Sequence, residues 1–288
     1  MPVPFQPFSL NCNGHLLVAE RPLVMGILNA TPDSFFEGSR VQAAQVGGAA
    51  GEMLESGVNI IDVGGMSSRP GAELVSAGEE MERVLPVIEA VRAVSADVVI
   101  SCDTVYAATA RAAVAAGAGM INDISAGRFD PTLLETVAEL RVPYVLMHMP
   151  DATPATMQQK TDYGDDVVTH VWDFLAEHLI AIRNLGVLDI IVDPGFGFGK
   201  QLKQNYRLLK NLHTFTHLGV PVLAGISRKG MVYKPLKTTP AESLPATAAV
   251  QLYALQQGAS ILRVHDVREG VQVVKLWQLL EEARLVGS

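Results

Sequence analysis

Residues 190–200 read Ile190-Ile-Val-Asp193-Pro194-Gly-Phe-Gly-Phe-Gly-Lys200, an apolar run followed by an acid, a proline and an alternating glycine loop. The β-branched run predicts a buried strand of a parallel sheet, and the strand must end where Pro194 removes a backbone donor. The glycines allow main chain to approach a ligand closely. Asp193 is therefore predicted to lie at the carboxyl end of a strand, on the rim of a binding site.

The loop after Asp193 matches neither of two common glycine-rich motifs. A dinucleotide fingerprint needs G-x-G-x-x-G, whereas these glycines alternate strictly. A P-loop ends in Gly-Lys-Ser or Gly-Lys-Thr, whereas Gln201 follows Lys200 here. We predict that Lys200 is a solvated residue before the next helix.

The same pattern of an apolar strand followed by a helix repeats on both sides of this stretch. The predicted strands are 23–29, 59–64, 98–103, 119–124, 143–148, 189–193, 221–226 and 260–265. The predicted helices are 42–56, 77–94, 106–116, 131–140, 164–185, 203–212, 241–257 and about 268–284. Eight apolar strands, each covered by a helix, indicate a parallel sheet.

Eight such units favour a closed (β/α)₈ TIM barrel over an open sheet split into two halves, which is the alternative. A β-hairpin precedes the barrel, because two apolar runs flank Asn13-Gly14, a pair suited to a tight type I′ turn. We expect the hairpin to plug or cap another part of the fold. The expected organisation is a single domain over 1–288, with the hairpin in 1–20 and the barrel in 21–288.

Composition and charge exclude several classes of function. The formal net charge of −8 argues against a nucleic-acid partner, which needs a basic face. There is no apolar run of the roughly 18 to 20 residues that a membrane span requires, and the start of the chain does not resemble a signal peptide. We expect no membrane partner and a cytoplasmic location. The two cysteines, Cys12 and Cys102, suggest neither a disulfide framework nor a zinc site.

Every predicted strand has polar residues at its carboxyl end, whereas the residues at the amino ends are mostly uncharged. The polar ends are Asn29, Asp62 with Ser67-Ser68-Arg69, Asp103-Thr104, Asn122-Asp123, His148, Asp193, Ser227-Arg228-Lys229, and Arg263 with His265. In barrels the carboxyl ends of the strands carry the active site. This one-sidedness predicts one composite site at the mouth of the barrel.

Asp103, Asn122 and Asp193 are short polar side chains that strand alternation can direct into the mouth. A carboxylate and an amide can match the donors and the acceptor on the edge of an amino-pyrimidinone ring. The alternative is that they are polar core residues or helix caps. His148, between two methionines, is more simply interpreted as a core residue than as a ligand.

A cationic group complements these acids. Arg263 and His265 share one face of a strand, and Lys229 and Arg69 follow other strands. Such side chains suit an anion, and an arginine fork suits phosphate oxygens in particular. A structural salt bridge to Asp266 or Glu269 is the alternative. The loop 29–36 is either a lid or an ordered structural loop.

Taken together, the motifs resemble the dihydropteroate synthase family over roughly residues 8 to 280. The first signature is Met25-Gly-Ile-Leu-Asn29-Ala-Thr-Pro-Asp-Ser-Phe35, and the second is Ile61-Asp-Val-Gly-Gly-Met-Ser-Ser-Arg-Pro-Gly-Ala72. The family order continues through Ser101-Cys-Asp103-Thr, Ile121-Asn122-Asp-Ile, Leu146-Met-His-Met149, Asp193 to Lys200, Ile226-Ser-Arg-Lys229 and Leu262-Arg263-Val-His265-Asp.

The resemblance implies an Mg²⁺-dependent condensation of 6-hydroxymethyl-7,8-dihydropterin diphosphate with 4-aminobenzoate, in a homodimer. It implies catalytic roles for Asp103, Lys229 and Arg263. The implied pterin contacts are Asp103, Asn122, Asp193, Lys229 and Arg263. The implied diphosphate contacts are Asn29, Ser68, Arg69, Arg263 and His265, with Asn29 also binding the metal. The implied aminobenzoate contacts are Phe35, Arg69, Pro70, Gly197, Phe198, Ser227 and Lys229.

The chain departs from the family pattern at a few positions. Met66 stands where many members have glutamate, Ser68 replaces a threonine, and Gly230 stands where serine is usual. In the first loop, Phe36-Glu37-Gly38 replaces Ser-Asp-Gly. Two alternatives stay open, a pterin-binding methyltransferase barrel and a pterin-binding paralogue whose loops cannot close. A methyltransferase would not need the cationic cluster for a diphosphate.

Overall fold

A computed structural model describes residues 3–30, 39–66, 75–150, 161, 163 and 166–285. The described chain begins with an antiparallel hairpin of β1 (Phe8–Cys12) and β2 (His15–Ala19). Asn13 and Gly14 both have positive φ, 54° and 85°, as a type I′ turn requires. The predicted hairpin is confirmed.

Eight parallel strands form the central sheet. They are β3 (Leu23–Asn29), β4 (Ile60–Gly64), β5 (Val99–Asp103), β6 (Met120–Asp123), β7 (Tyr144–Met147), β8 (Ile190–Asp193), β9 (Leu223–Ala224) and β10 (Ile261–Val264). Their order is β8-β7-β6-β5-β4-β3-β10-β9. A parallel bridge between Val192 and Val222 brings β9 back to β8, and the Val192 N–H donates to the Pro221 carbonyl at 2.9 Å. The predicted TIM barrel is confirmed.

Helices connect the strands on the outside of the barrel. The described ones are α1 (Ser39–Glu55), α2 (Ala77–Val94), α3 (Ala107–Ala115), α4 (Leu133–Leu140), α5 (Val167–Asn184), α6 (Leu202–Lys210), α7 (His213–Thr216), α8 (Gly230–Tyr233), α9 (Leu244–Gln256) and α10 (Val267–Leu285). The four-residue helices α7 and α8 were not predicted, because so short an element leaves no periodic pattern. Strand β9 is shorter than the predicted 221–226. At its start, Pro221 has no N–H to donate to a neighbouring strand.

The barrel and the hairpin share one apolar core. Leu10, Cys12 and Ala19 of the hairpin pack on inward-facing side chains that include Met25 and Ile60. The fit is close, because a Cβ on Gly119 would lie 3.0 Å from the Cβ of Cys12. The hairpin therefore closes the amino end of the barrel and leaves the carboxyl end as the open mouth. This agrees with the expectation that the hairpin plugs or caps another part of the fold, and that part is the amino end of the barrel.

A second core lies between the barrel and its helices, and it includes Cys102. Both cysteines, Cys12 and Cys102, are buried and free. Among the residues that the structure describes, no helix has the length and apolar character needed to cross a membrane.

The hairpin offers a test of this arrangement with a matched control. Leu10 is 2% exposed in the shared core, whereas Leu16 on the facing strand is 63% exposed. We expect Leu10→Ala to lower the free energy of unfolding by about 2 to 5 kcal/mol, because it leaves a cavity under the barrel. Leu16→Ala should change it by less than about 0.5 kcal/mol. Urea denaturation measures both; equal effects would show that the hairpin does not close the barrel.

Candidate active site

Polar side chains meet at the carboxyl ends of the barrel strands, as predicted. Strands β4, β5 and β6 pair in register, so that Gly64 lies beside Asp103 and Asp103 beside Asn122. Asp193 ends β8, and Ser227 and Lys229 follow β9. The residues that the structure brings to this mouth are Asn29, Asp62, Asp103, Asn122, Asp193, Ser227, Lys229, Arg263 and His265.

Arg263 crosses the mouth from β10 and joins two acids of neighbouring strands. Its Nε donates to Asp62 Oδ2 at 2.6 Å, and its Nη2 donates to Asp103 Oδ2 at 2.7 Å. Asp62 Oδ2 also accepts from Asn122 Nδ2 at 3.1 Å. Burial opposes the charge of the guanidinium, but Asp62 and Asp103 raise its pKa above the ordinary value. The four strands β10, β4, β5 and β6 are therefore linked by one network of ion pairs and hydrogen bonds.

The two acids that face the mouth have perturbed pKa values. Burial raises the pKa of Asp103 to about 7, Arg263 opposes that rise and Asp62 adds to it. Burial also raises the pKa of Asp193, and Lys229 opposes it. Asp193 Oδ1 accepts from the Gly195 N–H at 2.7 Å. With a pKa of about 7, the Asp103 carboxyl can hold a proton near neutral pH and can then donate as well as accept a hydrogen bond.

Lys229 lies between the acids and the glycine loop. Its Nζ donates to the Phe196 carbonyl at 2.5 Å and lies 4.9 Å from the centre of the Phe198 ring. Burial lowers the pKa of Lys229 to about 8, and Asp193 opposes that shift. The ammonium therefore bonds the main chain of the glycine loop and lies over the Phe198 ring, and Asp193 is close enough to favour its charge.

The salt bridge to Asp266 that was the alternative for Arg263 and His265 is made by a different residue. Arg228 pairs with Asp266 through two hydrogen bonds, one of them from Nε to Oδ2 at 2.9 Å. That alternative is wrong for Arg263, whose partners are the acids in the mouth. Arg228 has a φ of 53°, so the chain turns sharply there, between Ser227 and Lys229.

His265 and Asn29 lie at the edge of the mouth. The His265 N–H donates to Ser227 Oγ at 3.2 Å, and its ring Nδ1 lies 3.2 Å from the same oxygen. Burial, together with the charges of Arg263 and Arg228, lowers the pKa of His265 to about 4. The imidazole is therefore neutral at neutral pH. Asn29 is exposed at the end of β3, so its amide oxygen is accessible.

A magnesium ion would find few protein ligands among the described residues of the mouth. They contain no group of three acidic, histidine or cysteine side chains that could hold a metal ion by themselves. Asn29 nevertheless offers one exposed carbonyl oxygen, the ligand type that Mg²⁺ prefers. Mg²⁺ is commonly held by one or two protein oxygens together with phosphate oxygens and water. The donor set is compatible with such a site.

The structure contradicts the prediction for Lys200 and agrees with the interpretation of His148. The prediction that Lys200 is solvated is wrong, because the residue is 4% exposed and its Nζ donates to main-chain carbonyls. His148 is a buried core residue, as interpreted. Its ring packs edge-on against Phe174 of α5, with ring centres 4.9 Å apart, and no described residue bonds its Nδ1.

Four predicted site residues lie outside the described residues, namely Phe35, Ser68, Arg69 and Pro70. Met66 is described, and it packs against an apolar cluster in the mouth that includes Val105, Ile124 and Phe198. A methionine at this position therefore extends an apolar surface next to the glycine loop.

Sequence reasoning missed two residues of the mouth. Asp62 was noted only as a polar strand end, although its position two residues after Ile60, which faces into the barrel, places it on the inner face of β4. Gly225 is not among the predicted site residues, although a glycine inside a predicted strand often marks the close approach of a ligand. A Cβ on Gly225 would lie 3.7 Å from Lys229 Nζ and 3.8 Å from Asp193 Oδ2.

Comparison with known proteins adds to this geometry. Residues 25–265 match the pterin binding enzyme family. Over 261 residues the chain is 44% identical to the dihydropteroate synthase of Synechocystis sp., which covers 89% of each protein. Two structures of Xanthomonas albilineans dihydropteroate synthase are also similar. The complex with 4-aminobenzoic acid is 43% identical, with a TM-score of 0.86, and covers 96% of this chain and 99% of that one. The complex with 7,8-dihydropteroate is 42% identical, with a TM-score of 0.82 and coverage of 95% and 99%.

A substitution at Gly225 tests whether Asp193 and Lys229 face a bound ligand. An added methyl would make only ordinary contacts, so Gly225→Ala should fold like the parent. The methyl would nevertheless occupy the space between Asp193 and Lys229, and we expect it to weaken binding of a pterin by about tenfold or more. Calorimetric titration measures the affinity. Gly48→Ala, where a Cβ meets nothing within 4 Å, is the control; equal affinity of both variants would place the ring elsewhere.

Proposed function

Because the chain belongs to the pterin-binding enzymes, as a member of the dihydropteroate synthase family, we propose that its barrel mouth condenses 6-hydroxymethyl-7,8-dihydropterin diphosphate with 4-aminobenzoate. The products are 7,8-dihydropteroate and diphosphate, and the reaction belongs to folate biosynthesis. The observation that carries this proposal is the convergence of Asn122, Asp193, Lys229 and Arg263 in one mouth.

The pterin ring is assigned to Asp103, Asn122, Asp193, Lys229 and Arg263. An aminopyrimidinone edge presents donors to a carboxylate and an acceptor to an ammonium or amide. The Oδ1 atom of Asp193 accepts from the Gly195 N–H, and its Oδ2 atom borders the space beside Gly225. Lys229 borders the same space. A ligand without this polar edge would leave these buried groups unpaired, which gives the site its selectivity.

The diphosphate is assigned to Asn29, Ser68, Arg69, Arg263 and His265, with Mg²⁺ held by Asn29 and phosphate oxygens. When bound, Mg²⁺ would neutralise charge on the departing diphosphate. The neutral imidazole of His265 can donate one hydrogen bond to a phosphate oxygen. Arg263 has its Nε and Nη2 engaged with acids, so its contribution to the phosphate is mainly its charge.

The aminobenzoate is assigned to Phe35, Arg69, Pro70, Gly197, Phe198, Ser227 and Lys229. Phe198 provides an apolar wall, and Lys229 lies close above its ring. An aromatic acid can pack its ring on such a wall and direct its carboxylate to a hydroxyl or a cation. The amino group then points to the methylene carbon of the pterin.

The chemistry requires positioning more than activation. The carbon–oxygen bond to the diphosphate breaks, and the electron pair leaves with the phosphate oxygen. The positive charge on the methylene is shared with the pterin ring, where Asp103 and Asp193 can offset it. The amine lone pair forms the new carbon–nitrogen bond, and the amine releases a proton. No covalent intermediate with the chain is needed, which accords with the absence of nucleophile motifs from the sequence.

Two broader features belong to the same proposal. We expect a homodimer, and the exposed Leu276, Leu279 and Leu280 on α10 offer an apolar face at helical spacing for a second copy. We also expect a cytoplasmic location. The residues assigned to the diphosphate, Arg69, Arg263 and His265 among them, favour a synthase over a pterin-binding methyltransferase, which has no diphosphate to bind.

A condensation assay tests the proposed function. The full chain is incubated with the pterin diphosphate, 4-aminobenzoate and Mg²⁺, and dihydropteroate is measured by chromatography. We expect product formation that stops when a chelator removes the metal and resumes when Mg²⁺ is restored. Pterin diphosphate binding without any product would contradict the proposal and favour a binding paralogue.

A further inference from the structure

Lys200 is a buried cation that the proposed reaction does not use. Its Nζ donates to three main-chain carbonyls, those of Gly195 at 2.7 Å, Phe198 at 3.2 Å and His148 at 3.4 Å. Two of these acceptors belong to the glycine loop, and the third follows the end of β7. A single ammonium therefore ties the glycine loop to itself and to the neighbouring strand of the barrel.

The loop has an unusual backbone that creates this arrangement. Gly195, Gly197 and Gly199 all have positive φ, at 71°, 90° and 61°. Asp193 and Asn205 accept from the N–H groups of Gly195 and Gly197, both at 2.7 Å. Lys200 binds carbonyls of the same segment, so donors and acceptors of the loop are both fixed by side chains.

Close packing leaves little freedom at the first turn of the loop. A Cβ on Gly195 would lie 1.9 Å from the His148 carbonyl oxygen and 3.2 Å from Lys200 Nζ. The main chain of β7 and the main chain of the loop therefore approach each other directly. Without the Lys200 ammonium, the carbonyl oxygens of Gly195, Phe198 and His148 would each lose a hydrogen-bond donor in a buried place.

We propose that Lys200 is the positioning residue that fixes Gly197 and Phe198 as the wall for the second substrate. The inference rests on the proposed function, because it concerns the aminobenzoate half of that site. The carbonyl of Phe198, the residue assigned to the wall, is bound directly by Lys200. The carbonyl of Phe196 is bound by Lys229. The two lysines thus hold adjacent parts of one loop, and Lys200 does so from its buried side.

The charge of Lys200 is kept in the interior at a cost. Burial lowers the pKa of Lys200 to about 7, Asp193 opposes that shift and Lys229 adds to it. Methionine has a similar length and no donor, so Lys200→Met fills the space while it removes all three hydrogen bonds. Lys203 provides a matched control. It lies three residues after Lys200, in the first turn of α6, and it is exposed.

The central experiment compares Lys200→Met with Lys203→Met in the full chain. We expect Lys200→Met to raise the KM for 4-aminobenzoate by about tenfold to a hundredfold, because a displaced wall misplaces the amine. The Kd for the pterin diphosphate, measured without aminobenzoate, should rise by a clearly smaller factor. Asp103 and Asn122 lie on other strands, and only Asp193 and Lys229 among the ring contacts are bonded to the glycine loop. Lys203→Met should match the parent in both.

Lys200→Gln adds a partial rescue. Its amide keeps two N–H donors on a shorter side chain, so we expect a KM for aminobenzoate between those of the parent and Lys200→Met. Hydrogen exchange gives a readout that needs no activity. The amides of the glycine loop should exchange faster in Lys200→Met than in Lys203→Met, with the strand amides unchanged.

Several outcomes would overturn the proposal. Equal KM values in Lys200→Met and Lys203→Met would show that the ammonium does not position the wall. Equal loss of affinity for both substrates, or global unfolding of both Lys200 variants, would show that it supports the barrel as a whole. An inactive parent would instead refute the proposed function, and loop exchange would still test the role of Lys200.

Discussion

The ion pair network around Arg263 is the interaction on which the mouth of the barrel depends. The guanidinium bridges Asp62 on β4 and Asp103 on β5, and Asp62 in turn accepts from Asn122 on β6. Breaking a buried pair leaves an uncompensated charge, which is more costly than never having formed it. The network therefore fixes the directions of side chains from four strands before any ligand arrives. Such preorganisation is what an electrostatic site requires.

Buried charges around the mouth are balanced. Asp62, Asp103 and Asp193 are opposed by Lys200, Lys229 and Arg263. Burial is the largest cause of the pKa shifts of Asp103, Asp193, Lys200 and Lys229, and oppositely charged neighbours moderate those shifts. A balanced cluster has little excess positive charge for a diphosphate. The proposed site therefore depends on Mg²⁺ and Arg69 for the remaining neutralisation, whereas the described residues recognise the ring. Below the mouth, the hairpin closes the opposite end, which leaves one entrance.

The fold could be predicted from the sequence because each buried parallel strand is a continuous apolar run, as Ile190–Asp193 shows. The polar residues that follow these runs indicated the mouth, because the carboxyl ends of the parallel strands all lie at the same end of the barrel. The role of Asp62 could not be predicted, because its partner Arg263 is 201 residues away and no local pattern links them. Lys200 was misplaced, since a lysine before a helix is ordinarily solvated and its three acceptors arise only from the backbone conformation of the loop. Helices α7 and α8 escaped prediction because each is only four residues long.

The most direct test of the central claim, that one mouth holds the ring on its strand ends and the benzoate on its glycine loop, is a crystal structure with bound 7,8-dihydropteroate. The account predicts that the pterin edge lies within hydrogen-bond distance of Asn122 and Asp193, beside Gly225, with the benzoate ring against Phe198. It also predicts that Arg263 keeps its bonds to Asp62 and Asp103. A product bound away from Asp193, or an Arg263 released from both acids, would contradict it.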